Sequence, residues 1–240
     1  MSARRADICV AAVADAFETE DEIVASPMGL IPSIGARLAR KTTSPQLMLS
    51  DGVATLTTDD GVAEAHLPYR EVFHLLWSTK RHVMMGASQV DGFGNQNISC
   101  IGPFEAPKAM LIGARGAPGN TIYHRTSYWV PQQSARIFCE AVDFVCGVGN
   151  DRAAELGSRA ARYHDLHRIV TNLGVFGFGR DGKMIVLSLH PGVEADEVQA
   201  ASSFELDASK APQTRIPSAQ EMLWIEQLDP DQKRYLEVPG

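Results

Sequence analysis

Cysteine is scarce: Cys9, Cys100, Cys139 and Cys146 are the only four in 240 residues, and they contain no C-x-x-C pair. The spacing from Cys139 to Cys146 matches no zinc or redox signature, so all four are expected to be reduced core thiols in a cytoplasmic protein. Positive charge is also short, with 22 Lys and Arg against 29 Asp and Glu and a net charge of -7. Phosphate binding needs clustered cations that release counterions, so no nucleic-acid partner is expected. No apolar run approaches the roughly 18 residues of a membrane span. The stretch from Ala6 to Phe17 carries Asp7 and Asp15 among apolar residues at helical spacing, as an amphipathic helix does and a signal peptide does not. Dinucleotide, P-loop and serine-hydrolase signatures are missing too. His164 and His167 have no third ligand at a recognisable distance, so no metal is expected.

The sequence does carry an α/β pattern. Glu22 to Pro27 reads as a strand, residues 29 to 40 as a helix and Gln46 to Leu49 as a second strand, an order that favours a parallel sheet with a crossover. Residues 54 to 68 look acidic and irregular, and Tyr69 to Lys80 has helical spacing. Strands are expected at 82 to 86, 97 to 101, 109 to 113, 136 to 145 and 167 to 171. The Asp181-Gly182 turn between two apolar runs marks a hairpin over 175 to 189. Asp196 can cap a short helix through Ser202, and Ala219 to Leu228 forms the last helix. With no repeat or linker, residues 1 to 240 are expected to fold as a single domain.

Three loops after strands hold the candidate site residues. The loop from Gly86 to Asn97 packs three glycines and four amide side chains into twelve residues. There Gln89, Asn95 and Asn97 can donate and accept hydrogen bonds around an acyl group, or else cap turns. Ser50-Asp51-Gly52 places a carboxylate where open α/β sheets bind ligands, as a base, a nucleophile or a turn former. Gly113-Ala114-Arg115-Gly116-Ala117-Pro118-Gly119-Asn120 is glycine-rich enough to expose backbone N–H groups toward an oxyanion or phosphate. Arg115 is either a carboxylate or carbonyl ligand or a surface residue.

Taken in order, Leu49-Ser50-Asp51-Gly52, the 86 to 97 loop, Gly113 to Gly119, Val170-Thr171-Asn172-Leu173-Gly174-Val175-Phe176 and Leu189-His190-Pro191-Gly192-Val193 resemble the β subunit of family I coenzyme A transferases. The resemblance spans roughly residues 5 to 205. It implies an open, mixed but mostly parallel sheet with flanking helices and a companion α subunit, the two forming an αβ heteromer, α2β2 by expectation, with the active site between them. Transferases place a nucleophilic glutamate where this chain has Asp51, and a further glycine where it has Arg115. Both departures are similar to the transferase-fold hydrolases of actinobacterial cholesterol catabolism, which open the last steroid ring as its CoA thioester. That resemblance implies carbon–carbon hydrolysis of a cyclic oxo-acyl-CoA with no further cofactor. It also implies a general base on the α subunit, with Arg115 and Asp51 as this chain's catalytic candidates and Ser50, Gln89, Asn95, Asn97, Gly113 and Gly116 around the substrate. The alternatives are a true CoA-transferase using Asp51, or a subunit that only supports its partner's site.

Overall fold

The computed structural model describes residues 3–66, 71, 74 and 80–239. The chain opens with α1 (Arg5–Ala16), β1 (Val24–Pro27), α2 (Leu30–Lys41) and β2 (Met48–Ser50), the expected helix and strand–helix–strand order. The stretch expected to be irregular instead folds as an edge hairpin, β3 (Thr55–Thr57) and β4 (Ala63–His66). Its strands are too short and too polar to show alternation. That polarity suits an exposed sheet edge, where charged residues discourage pairing with another chain. The helix expected over Tyr69 to Lys80 lies outside the described residues, apart from Glu71, His74 and Lys80.

After β5 (Arg81–Gly86), four two-residue strands follow: β6 (Gln89–Val90), β7 (Gln96–Asn97), β8 (Cys100–Ile101) and β9 (Ala109–Met110). Then come α3 (Ala117–Tyr123), β10 (Arg125–Val130), α4 (Asn150–Glu155), β11 (Asp165–Thr171), β12 (Gly174–Phe178), β13 (Met184–Leu189), α5 (Ala195–Ala200), α6 (Ala219–Leu228) and α7 (Arg234–Glu237). The strand expected over 136 to 145 does not form. Its backbone is used to clamp the neighbouring loop, with the Cys139 N–H donating to Val90 O and the Asp143 N–H to Gln89 Oε1. Its apolar residues still reach the core, where Phe138 packs edge-on to Phe176. Asp196 does not cap α5, whose N-cap is Glu194; it lies in the first turn, where a negative charge complements the free N–H groups.

The main sheet has nine strands in the order β13-β12-β11-β10-β5-β1-β2-β3-β4. Its centre, β11 to β2, is parallel, and an antiparallel hairpin extends each edge. Because side chains alternate across a strand, β5 sends Met84 into one core and Val83 and Met85 into the other, and β10 divides Trp129 from Tyr128 and Val130 the same way. The first core is roofed by α1, α2 and α6. Helix α1 is buried nearly all round rather than amphipathic, since ten of its twelve residues are buried. Alanines let its neighbours approach that closely, and a Cβ on Gly35 of α2 would sit 2.4 Å from Val13 Cγ1. The second core lies beneath the loops that build the candidate site.

Candidate active site

Strand β1 bonds to β2 on one side and to β5 on the other, so the chain reverses its direction of sheet growth around β1. A crevice opens at the carboxyl ends of strands at such a switch point. Here it is a cavity of about 180 Å³ with Met28 past β1, Gly52 and Val53 past β2, and Met85 and Gly86 at the end of β5. Loop residues Ile98, Ile112 and Ala114 to Ala117 close it, together with Asn120 of α3. Gly52 is required for this closure: its φ is +81° and a Cβ there would lie 2.2 Å from Pro27 O.

Of the catalytic candidates, Arg115 lines the cavity and Asp51 does not. Arg115 is exposed and has no hydrogen-bond or ion-pair partner among the described residues. Its φ of +48° is left-handed, a conformation that costs a non-glycine residue about 1 kcal/mol or more. Gly116 lies beside it on the wall as the N-cap of α3, while Gly113 (φ +85°) turns the chain just before it. Asp51 Oδ1 accepts from the N–H groups of Val53, Ala54 and Thr55 at 2.8, 2.8 and 3.0 Å. Partial burial pushes this carboxyl upward, but the N–H donors outweigh it and hold it below the usual carboxylate range. It shapes the β2–β3 turn and faces a separate recess beside Arg37. Ser50 Oγ donates to Ala25 O at 2.8 Å and lies 3.4 Å from Ser26 Oγ.

The amide loop is turned inward. Gln89 Nε2 donates to Asp143 Oδ2 at 2.9 Å, and Asn97 Nδ2 donates to Gln89 Oε1 at 2.6 Å and to Cys100 O at 2.7 Å. Asn97 Oδ1 accepts from the Ser99 N–H; Asn95 Nδ2 donates to Asp91 and Asp151, and its Oδ1 accepts from the Gly149 N–H. These are bonds of turn and loop construction. None of the three amides lines the cavity, although Gln89 borders another recess with Ser88 and Arg136.

Two cavity residues escaped the sequence reading. Arg81, at the start of β5, is 7% exposed; its Nε and Nη2 donate to Ser26 Oγ at 3.2 and 2.8 Å, and its Nη1 has no partner among the described residues. No carboxylate pairs with it among the described residues, and burial pushes its guanidinium pKa down to about 10. Asn120 is 2% exposed and its Nδ2 makes only a 3.9 Å contact with Met85 Sδ. The available signal was a charge heading an otherwise apolar strand, Arg81-His82-Val83-Met84-Met85. The histidines do not form a metal centre: His164 bonds to Thr121 O and Asn150 Oδ1, His167 packs against His82, and no metal-ligating cluster occurs among the described residues. The four cysteines are free thiols.

This mixed, mostly parallel open sheet with its flanking helices is that of the coenzyme A transferase fold. The glutaconate coenzyme A-transferase structure from Acidaminococcus fermentans matches with a TM-score of 0.81 over 96% of both chains, at 21% identity. No protein-family model matches the chain. The cholesterol ring-cleaving hydrolase IpdB subunit of Rhodococcus jostii RHA1 is 48% identical over 243 residues, covering 98% of this chain and 96% of the relative. The crystal structure of Rhodococcus jostii RHA1 IpdAB matches with a TM-score of 0.94 over 100% of both chains, at 47% identity. The chain belongs to the IpdB subunit family.

Proposed function

We infer that this chain is the B subunit of a heteromeric hydrolase that opens a steroid-derived ring carried as a CoA thioester. The observation that carries the reading is an arginine, Arg115, with no partner among the described residues, standing in a strained conformation at an apolar switch-point cavity. It is joined by near-full-length kinship to ring-cleaving hydrolase subunits. The chain works in the cytoplasm paired with an A subunit, as two copies of each. Val53 and Ile112, both exposed at the cavity, provide an apolar rim for that partner to cover.

In the proposed reaction a base on the A subunit activates water, which adds to the ring ketone. The tetrahedral oxyanion collapses, the ring carbon–carbon bond breaks, and its electrons pass to the carbon conjugated with the thioester, where a proton is taken up. The products are a carboxylate and an opened acyl-CoA. Arg115 stabilises the developing oxyanion, and Asp51 holds the turn that presents Gly52 and Val53. No acyl group is passed to Asp51, whose Oδ1 is occupied by three N–H donors.

The reading is tested by giving the purified two-subunit complex a ring-intact cyclic oxo-acyl-CoA with and without an acceptor acid. Ring opening that is indifferent to the acceptor is expected. CoA transfer that requires the acceptor, with an adduct on Asp51 by intact-mass spectrometry, would replace this reading with that of a transferase.

A further inference from the structure

Helix α2 starts at the carboxyl end of β1, yet no side chain of its own first turn caps its free N–H groups. Its N-cap is Gly29, which has no side chain to accept a hydrogen bond, and the first turn holds no acidic residue. Pro32 has no N–H, and the Ser33 N–H is taken by Gly29 O at 3.1 Å. The missing acceptor comes from the far end of the chain. Glu237 Oε2 accepts from the Ile31 N–H at 3.0 Å, and Glu237 Oε1 accepts from Trp129 Nε1 at 2.7 Å. A single carboxylate thus ties the start of α2 to the end of β10. Its own position is fixed one turn earlier in α7, where the fully buried Arg234 bonds to Asp7 of α1 at 2.7 Å and to Asp229 at 3.1 Å.

We propose that Glu237 is a positioning residue: reaching over from the C-terminal segment, it holds the corner between β1 and α2, and through that corner it sets where Met28 and Gly52 stand. The inference rests on the hydrolase reading only for the reaction that is measured; the role of Glu237 follows from its hydrogen bonds. The corner has little room of its own to absorb a shift. Gly29 holds a φ of +125°, and a Cβ there would meet Pro32 Cδ at 3.3 Å and Trp129 Cδ1 at 3.7 Å. The Met28 N–H is fixed on Met84 O at 2.8 Å. Gly52 sits against the corner so closely that a Cβ on it would lie 2.2 Å from Pro27 O and 3.2 Å from Met28 Cγ. A displacement of the corner is therefore passed on to Gly52 and Val53. Glu237 does not line the cavity, and it acts only through what it holds. A carboxylate suits that task, because its charge is favoured at a helix N-terminus in addition to the hydrogen bonds that it accepts.

The test uses the two-subunit complex at a temperature where circular dichroism shows each variant fully folded. Glu237→Ala should lower kcat for ring opening by on the order of 10- to 100-fold with KM within a few-fold, since a displacement of about 1 Å costs that much when the binding groups themselves remain. Glu237 is only partly buried, so the space that its side chain leaves opens to solvent. Added formate should enter that space, accept from the Ile31 N–H and Trp129 Nε1, and restore part of the lost kcat in a saturable way. Neutral formamide should restore less. Glu237→Gln keeps one acceptor but turns an NH2 group toward the other donor, so its kcat should fall between those of Glu237→Ala and wild type. Trp129→Phe removes one of the two donors and should lower kcat by a few-fold. A folded Glu237→Ala with kcat close to that of wild type, or a loss that formate does not restore or that formamide restores equally, would overturn the proposal. If Glu237→Ala does not fold, unchanged kcat in both Glu237→Gln and Trp129→Phe would overturn it, and reduced kcat in both would support it. A wild-type complex that transfers CoA without opening the ring would sink the hydrolase reading, and the same variants compared on transfer would then decide this one.

Discussion

Two glycine-rich loops follow strands in this protein, and the one richer in polar side chains is the less available to a ligand. Between Gly86 and Asn97 the amides of Gln89, Asn95 and Asn97 bond to backbone, to each other and to Asp91, Asp143 and Asp151. Between Gly113 and Asn120 the polar groups are fewer and underused: Arg115 has no partner among the described residues, and Asn120 reaches only a sulfur. Buried polar groups must be satisfied, so a dense polar motif can serve loop construction alone. By that criterion the Gly113 to Asn120 loop, whose donors are still open beside an apolar cavity, is the better candidate for a ligand.

That contrast is most strongly challenged at Arg115. In the two-subunit complex Arg115→Ala should lower kcat by about 100-fold or more with only a modest change in KM, as for the loss of one preorganised oxyanion donor. A rise in KM alone would make Arg115 a binding group, and a change in neither would place the chemistry on the partner subunit.

The opposite outcome is expected in the amide loop. Asn97→Ala removes two donor and three acceptor bonds from a fully buried network, to Gln89, Cys100, Ser99 and Cys146. It should cost about 2 to 4 kcal/mol of stability, since each stranded buried group costs about 1 to 3. Urea unfolding measures this. The folded fraction should keep a kcat within a few-fold of wild type, and a large kcat loss without a stability loss would make the amide loop part of the site.

How much of this was legible beforehand depends on how local the physics is. Helices α1, α2 and α6 and the β12–β13 hairpin are carried by spacing and by the Asp181-Gly182 turn, all readable within a dozen residues. The β3–β4 edge hairpin was not, because short, exposed strands carry no apolar alternation. Residues 136 to 145 mislead for the converse reason: their apolar side chains pack into the second core while their backbone bonds to the amide loop. That Arg115 stands in a loop free to face a cavity was readable from the small residues around it. Arg81 and Asn120 were not, since what marks them is an unfilled hydrogen-bonding capacity that appears only when distant segments meet.

A smaller effect concerns His190, buried beneath the end of β13, with Nε2 2.9 Å from Thr171 O and Nδ1 3.0 Å from Thr214 Oγ1. That pairing gives a neutral ring one acceptor and one hydroxyl donor. Burial lowers its pKa; the Thr171 bond opposes this and the Arg5 charge adds to it, leaving a value of about 4 against a usual 6.5. The unfolded chain therefore takes up the proton first as pH falls. The stability is fully present above pH 6.5 and declines as pH drops toward 4, by at most about 1.4 kcal/mol per pH unit from this residue. Denaturation midpoints across that range should show the slope, and His190→Asn should reduce it, leaving the part that His82 and His167 contribute, whose pKa values burial also lowers; an unchanged slope would assign it wholly to those and other groups.

The smallest expected effect sharpens the comparison between the loops most. Arg115 holds a φ of +48° with no side-chain hydrogen bond or ion pair to compensate it among the described residues. Arg115→Gly removes a strain of about 1 to 2 kcal/mol and adds about 0.5 to 1 kcal/mol of unfolded-state entropy. Net stability should change by about 1 kcal/mol or less, in the favourable direction if at all. In a chain of this size that is a rise in melting temperature of about 2 to 4 °C at most. Activity should nonetheless fall as far as in Arg115→Ala. Stability kept and rate lost would show that the strain is tolerated for what the guanidinium does to substrate. A fall of many degrees would mean that Arg115, like the amides of the other loop, is engaged inside the protein.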